Sequence, residues 1–361
     1  MKTKHLLLSA LTGSLLAVSA QAQLDVTITG STAFRSAVYD RAQTLFDTGS
    51  YSSVTYGGNT TYIGTMSNLT SSAIGSQIVK LRFSFSGSGA GLAAVDAGSL
   101  LATAETGSSS ANKRADLALS DVYPNSANPP LSLNDFDDSI VSVIPFAIGV
   151  HTNLYLTGVT NITREQAYDL MTDSGIIVSG PHTFYGMPQS YLGGSGTNVL
   201  YLVGRNSDSG TRITLFRDIG FYGNPTQWST NGAGQFVSVT GASSGATVAN
   251  LIGTYTNVIG YVGLSDLLSN TGNNGVALAY NGVPFSIANV QNGAYGIWSK
   301  EHFVDKVGSL TAAQAAVRDA LIAALTNQGF QTTNGVYTNY FVDLSHMKVD
   351  RNDDGGPITR L

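Results

Sequence analysis

The sequence contains no cysteine. That excludes disulfides, thiolate metal sites, cysteine nucleophiles and the lipid-bearing cysteine of bacterial lipoproteins. Charge is also scarce. Only 11% of the residues are charged, and the formal net charge is -5. Such a chain offers no basic footprint for nucleic acid or an anionic membrane. It can still hold an anion if the site uses backbone amides and one buried arginine. Long apolar runs are missing beyond the start of the chain, so no later segment has the length of a membrane-spanning helix. His151, His182, His302 and His346 lack a metal-binding spacing such as H-E-x-x-H. They read as surface or hydrogen-bonded histidines.

What is present begins with an export pattern. Lys2 and Lys4 precede a short apolar run over 6–18, and Ala20-Gln21-Ala22 follows as an A-x-A site. Residues 1–22 are therefore expected to be a signal peptide cleaved near Ala22, with the mature chain in the periplasm. A length of 361 residues suits two lobes better than one core. The 41 glycines point to a mixed fold with many tight turns.

Val26-Thr27-Ile28-Thr29 reads as a strand, Gly30-Ser31-Thr32 as a turn, and Phe34 to Phe46 as a helix. Residues 49–76 are rich in Gly, Ser, Thr, Asn and Tyr and read as a surface insert. Residues 78–85 alternate as a strand, followed by a Gly/Ser turn and a helix over 92–104. This strand–turn–helix rhythm is that of an α/β sheet. Further strands are expected at 117–119, 141–148, 153–156, 199–203 and 259–262, and a return strand at 295–298. Helices are expected over 212–219 and 245–252. Thr163-x-x-Gln166 and Thr311-x-x-Gln314 have the form of capping boxes that open two more.

Four strand-end turns share one composition: Gly30-Ser31-Thr32, Gly87-Ser88-Gly89, Ser120-Asp121 and the run from Arg205 to Thr211. Three of them open helices. A helix N-terminus presents unpaired N–H groups and partial positive charge, so several converging ends can cage an oxyanion. A single turn of this kind is ordinarily only a cap. The set carries the reading.

Other motifs fail on their own terms. Gly89 to Ala94 matches G-x-G-x-x-A, but no acid closes a second strand at the dinucleotide spacing. Neither Ser88 nor Ser195 sits in a complete G-x-S-x-G elbow. Asp350 to Gly355 matches the first half of a calcium loop, but Leu361 stands where the last ligand, a glutamate, belongs. The numerous aromatics show no sugar-stacking pattern. No cofactor is implied.

The ordered set resembles the phosphate-specific substrate-binding proteins of ABC transporters. Arg205 with Ser209-Gly210-Thr211 keeps that family's spacing, and Val258-Ile259-Gly260-Tyr261-Val262 resembles its Ile-Gly-Tyr-Val strand. Val143 to Gly149 resembles its first lobe crossing. The resemblance implies an α/β, two-lobed periplasmic-binding-protein fold, with two mixed sheets, flanking helices and a ligand cleft. Lobe one would take 23–146 and 293–361, and lobe two 147–292. The implied function is capture of phosphate for a membrane permease by a monomer that catalyses nothing. The implied ligand set is Thr32, Ala33, Ser88, Asp121, Arg205, Ser209, Gly210 and Thr211. Aligned on the glycine, the first turn offers the Thr32 hydroxyl and the Ala33 amide. Aligned on Val38-Tyr39, it offers Ala33 and Phe34. Asp121 would accept the proton that hydrogen phosphate carries and sulfate lacks. The family's acid two positions after the arginine is here Ser207, so either Asp208 steadies Arg205 or something else does. The alternatives are a binder of molybdate, tungstate or sulfate, an exported phosphatase-like enzyme, and a secreted structural or adhesive protein on the same scaffold. The enzyme reading lacks a nucleophile–base pair or metal cluster.

Overall fold

Runs of β-branched and apolar residues set the strands, and Gly/Ser turns set where they stop. The computed structural model describes residues 23–67, 69, 74, 77–172, 186–272, 274–327 and 341–361, with 177–179 and 182–184 by backbone only. The expected signal peptide and part of the 49–76 insert lie outside the described residues. In chain order the main elements are β1 (Gln23–Gly30), α1 (Arg35–Gln43), β2 (Ser52–Tyr56), β3 (Asn59–Gly64), β4 (Ile78–Phe85), α2 (Ser88–Ala97), β5 (Leu100–Thr106), β6 (Ser109–Arg114) and β7 (Leu117–Ser120). They continue with β8 (Phe136–His151), α3 (Arg164–Thr172), β9 (Met187–Pro188), β10 (Val199–Val203), α4 (Gly210–Ile219), α5 (Gly245–Thr254), β11 (Val258–Gly263), α6 (Leu264–Asn270), β12 (Gly275–Ala277), β13 (Trp298–Lys306) and α7 (Ala312–Leu325).

An 11-stranded mixed sheet runs in the order β9-β10-β11-β8-β13-β7-β1-β4-β3-β2, with β12 added on β8. β1 is parallel to β4 and β7, and β10 to β11, while β8 and β13 run antiparallel to their neighbours. Two separate mixed sheets were expected. Instead β8 belongs to both halves: residues 136–145 pair with β13, and residues 146–150 pair with β11. Its length of 16 residues permits this. β11 is buried along its whole length, which explains its unbroken apolar sequence.

Several local expectations change. The helix expected over 92–104 ends at Ala97, where Gly98 takes a left-handed φ of 60°, and β5 follows. The strand expected over 153–156 is a short helical turn, because β8 ends at His151 and the His151 side chain accepts from the Asn153 amide. The return strand begins only at Trp298 and runs on to Lys306. Part of the 49–76 insert forms the β2–β3 hairpin, which extends the sheet edge beside β4. Both capping boxes form: Thr163 exchanges bonds with Gln166, and Thr311 with Gln314.

The tail that resembles a calcium loop is engaged by protein groups. Asp350 pairs with Lys300 at 2.7 Å, and Asp354 accepts from the Tyr123 amide at 2.9 Å. Arg351 donates to the carbonyls of Trp298 at 2.8 Å and Gly296 at 2.9 Å, with its guanidinium 4.3 Å from the Trp298 ring centre. Among the described residues no group of three or more acidic or histidine side chains could hold a metal, and no helix is long and apolar enough to cross a membrane.

Candidate functional site

β1 ends at Gly30 with a φ of 102°, where a Cβ would lie 1.9 Å from the Leu119 carbonyl oxygen. Glycine is required for that approach. The chain then turns, and the Ser31 amide donates to the same carbonyl at 2.8 Å. The Ser31 hydroxyl donates to Asp121 Oδ1 and accepts from the Phe34 amide at 3.3 Å, just ahead of α1. Gly91 allows α2 to lie on the end of β1, since a Cβ there would meet Gly30 Cα at 2.3 Å. The first residue of α2, Ser88, accepts from the Asp121 amide at 3.1 Å. Ser31, Ser88 and Asp121 thus form one buried cluster at the ends of β1, β4 and β7.

Arg205 follows β10 and is 1% exposed. Its carbonyl accepts from the Tyr261 hydroxyl, Gln227 Nε2 and Arg212 Nη1, each at 3.2 Å. Its own Nε and Nη2 donate to the carbonyls of Ala242 at 3.2 Å and Ser243 at 3.1 Å. Asp208 does not steady it. The Asp208 carboxylate instead accepts from the neighbouring Ser207 hydroxyl at 3.3 Å. Backbone carbonyls hold the fork, and the carboxylates of Asp266 and Asp121 supply the opposing charge.

The two sets of turns meet. A Cβ on Gly210, the first residue of α4, would lie 2.5 Å from Ser88 Oγ and 2.6 Å from Asp121 Cβ. The Ser265 hydroxyl donates to the Ala33 carbonyl at 3.2 Å. Of the expected ligand set, Ser88, Asp121 and Gly210 are therefore in contact range, and Arg205 acts on Asp121 through its charge. Thr32 follows Ser31, and Ser209 and Thr211 flank Gly210; all three are buried, and their hydroxyl oxygens have no hydrogen-bond partner among the described residues. Buried polar atoms are normally satisfied, so orphaned hydroxyls on both sets of turns leave donors for a polar occupant.

Burial raises Asp121 above the usual carboxylate range, against the pull of Ser31, Glu301, Arg205 and Ser88. Burial also lowers Arg205, against Asp266 and Asp121. Asp266 is pushed up to about 6 by burial, and the charges of Arg205 and Arg35 oppose that shift. The cage therefore combines one guanidinium, orphaned hydroxyls and helix N-termini with carboxyls that hold protons more readily than usual. Such a set suits a compact, protonatable oxyanion.

Sequence reasoning missed Asp266, Glu301 and the direct role of Ser31. Asp266 lies just after β11, in a strand-end Gly-Leu-Ser-Asp run of the same composition as the four chosen turns, so the rule already in use could have found it. Its Oδ2 would meet a Cβ on Gly245 at 1.9 Å, which sets it at the N-terminus of α5. Glu301 is one of two buried acids on β13, the other being Asp305, and its burial becomes visible only once the strand is placed.

No protein-family model and no curated protein matches the chain. Solved structures do. A candidate phosphate ABC transporter substrate-binding protein from Clostridium perfringens, solved with bound phosphate, matches with a TM-score of 0.58 at 16% identity, over 89% of this chain and 99% of that one. A phosphate-binding protein from Stenotrophomonas maltophilia matches with a TM-score of 0.53 at 14% identity, over 89% and 90%. An ABC-type phosphate transport receptor from Vibrio cholerae matches with a TM-score of 0.52 at 16% identity, over 87% and 99%. The chain has the fold of these periplasmic-type binding proteins: a large mixed sheet flanked by helices.

Proposed function

We propose that this chain is an exported binding protein that holds inorganic phosphate, or a close oxyanion analogue, in the cage around Arg205 and Asp121. The observation that carries this reading is the buried, carbonyl-held guanidinium of Arg205 together with unpartnered buried hydroxyls on the turns that meet, those of Thr32, Ser209 and Thr211. Hydroxyls donate to anion oxygens, and the guanidinium N–H groups not given to Ala242 and Ser243 are left for the anion. Ser88 and the amides of Ala33, Gly210 and Thr211 complete the ligand set. The fold shared with phosphate-binding proteins supports the same reading.

In this reading lobe one comprises 23–146 and 293–361 and supplies Thr32, Ala33, Ser88 and Asp121. Lobe two comprises 147–292 and supplies Arg205, Ser209, Gly210 and Thr211. The anion bridges both, so binding and closure are one event, and a permease of the ABC type reads the closed form. Asp121 accepts the ligand's proton. A sulfate has none to give, and a buried carboxylate facing it is repelled and unpaired. The protein acts as a monomer and catalyses nothing.

The test is a thermal-melt screen of ligand-stripped protein against phosphate, arsenate, sulfate, molybdate and tungstate. Stabilisation by phosphate and arsenate but not sulfate is expected. Stabilisation by another anion alone reassigns the ligand. No shift with any of them removes the binding reading.

A further inference from the structure

Glu301 on β13 is fully buried, and no N–H or O–H donor among the described residues reaches either of its carboxylate oxygens. An ionised carboxylate without donors or a cation is strongly unfavourable in such a place. The neighbour it does meet is another acid, Asp121. Asp121 is differently supplied. It receives the Ser31 hydroxyl on Oδ1, and it lies in the field of Arg205. Two carboxyls in contact cannot both be ionised in a dry site, and the one with donors and a cation keeps the charge.

We infer that Glu301 is the protonated partner of Asp121: its carboxyl O–H donates to the Asp121 carboxylate and holds Asp121 ionised, as an acceptor facing the ligand. Asp121 Oδ2 lies on the Gly210 side, 2.8 Å from where a Cβ on that glycine would be. Oδ1 is taken by Ser31, so the acceptor left for a ligand proton is on the side of α4. Glu301 acts through Asp121 and is a positioning residue.

Each element packed around Glu301 contributes groups consistent with this assignment. β7 leads into Asp121, and β8 places Ser142 at the paired position, its hydroxyl donating to the Val342 carbonyl at 3.2 Å. Ser299, two residues back on the same face of β13, has a buried hydroxyl with no partner among the described residues. The chain neighbours are engaged elsewhere: Lys300 pairs with Asp350 at 2.7 Å, and His302 Nδ1 meets Asp138 at 2.8 Å. Arg205 faces Asp121 from the other set of turns.

The identity of what Asp121 faces rests on the oxyanion reading, whereas the place of the proton does not, so the experiment has two arms. In ligand-free protein, the carboxyl carbon signal of Glu301 is followed by NMR from about pH 5 to about pH 9. It is assigned by its loss in Glu301→Gln. A neutral-acid shift persisting at neutral pH is expected, and an ionised shift there overturns the proposal. In the second arm, phosphate affinity of the wild type and of Glu301→Gln is measured by calorimetry over the same range. The glutamine amide can donate to Asp121 at any pH. The two proteins are expected to agree within about threefold at neutral pH, and the wild type to fall behind by roughly tenfold or more as Glu301 ionises. Ionisation of phosphate itself affects both alike. Parallel curves across a pH at which the carbon signal shows Glu301 ionising overturn the proposal. If the wild type binds no phosphate at all, the oxyanion reading fails, and the carbon signal still decides Glu301.

Discussion

The Gly89 amide donates to the Asp208 carbonyl at 2.8 Å. An N–H at the start of α2 is thereby given to the loop that carries Arg205, and two distant stretches of chain are held face to face. Gly87, Gly89 and Gly210 keep that contact free of side chains.

Gly210→Ala tests the contact directly. Its new methyl would collide with Ser88 Oγ and Asp121 Cβ, whose positions are fixed by buried hydrogen bonds. Overpacking of this kind costs about 1–3 kcal/mol. Phosphate affinity should fall at least tenfold in calorimetry while the far-ultraviolet circular dichroism spectrum is unchanged.

Arg205→Ala removes the cage's buried guanidinium. Truncating one member of a buried, hydrogen-bonded charge pair costs about 2–5 kcal/mol, and each 1.4 kcal/mol is about tenfold in affinity. Phosphate binding should weaken by at least about 30-fold. Arg205→Lys should recover only part of it, since an ammonium cannot reproduce the fork. Affinity within threefold of wild type for the alanine variant would exclude Arg205 from the site.

Asp121→Asn exchanges an acceptor for a group that can also donate. Phosphate should bind more weakly and sulfate no worse, so the ratio of their dissociation constants should move toward unity. Competition between the two anions in the melt assay reads this ratio, and an unchanged ratio removes Asp121 as the proton acceptor.

Asp266 predicts a pH dependence. Burial pushes it up to about 6 in the folded chain, above its ordinary value of 3.8, so the folded state binds more protons than the unfolded state between those values. Stability must then fall as pH rises through that window and level off above about 6. The shift corresponds to about 3 kcal/mol. Asp266→Asn should lack this component. Urea titrations of ligand-free protein should show the variant gaining on the wild type from about pH 4 to about pH 7. A constant difference across the window would show that Asp266 ionises normally.

Arg351→Leu should cost stability without touching selectivity. It leaves the Trp298 and Gly296 carbonyls without their donor and loses the contact over the indole ring. Hydrogen bonds from a charged donor contribute about 1.5–3 kcal/mol each. The melting temperature should drop by several degrees, with the phosphate-to-sulfate ratio retained.

The α/β class, most strand positions and both capping boxes were legible, because each depends on residues close together in sequence. Thr163 with Gln166 and Thr311 with Gln314 show this plainly. The grouping of the turns was legible from shared composition. What holds Arg205 was not. Its partners are backbone carbonyls at Ala242 and Ser243 and a carboxylate at Asp266, none with a side-chain signature near Arg205. Asp208 was the nearest acid in sequence, and the sequence left open whether it or another group steadied Arg205. Glu301 was hidden by a strand that starts later and runs further than its apolar residues suggested, so its inward direction could not be read. The single sheet was likewise unreadable, since only pairing on both sides of Pro145 and Phe146 shows that β8 serves two neighbours.

That shared strand limits how the molecule can move. Pro145 sits opposite Trp298, where pairing with β13 stops and pairing with β11 starts, and a proline brings no N–H to the ladder. A strand hydrogen-bonded to different partners along its two ends cannot slide lengthwise without breaking both ladders. β8 therefore ties the two halves of the sheet together, and shear of one half along the other is costly. The strands behind the turns of Asp121 and Arg205 are both anchored to neighbours of that one strand, β7 to β13 and β10 to β11.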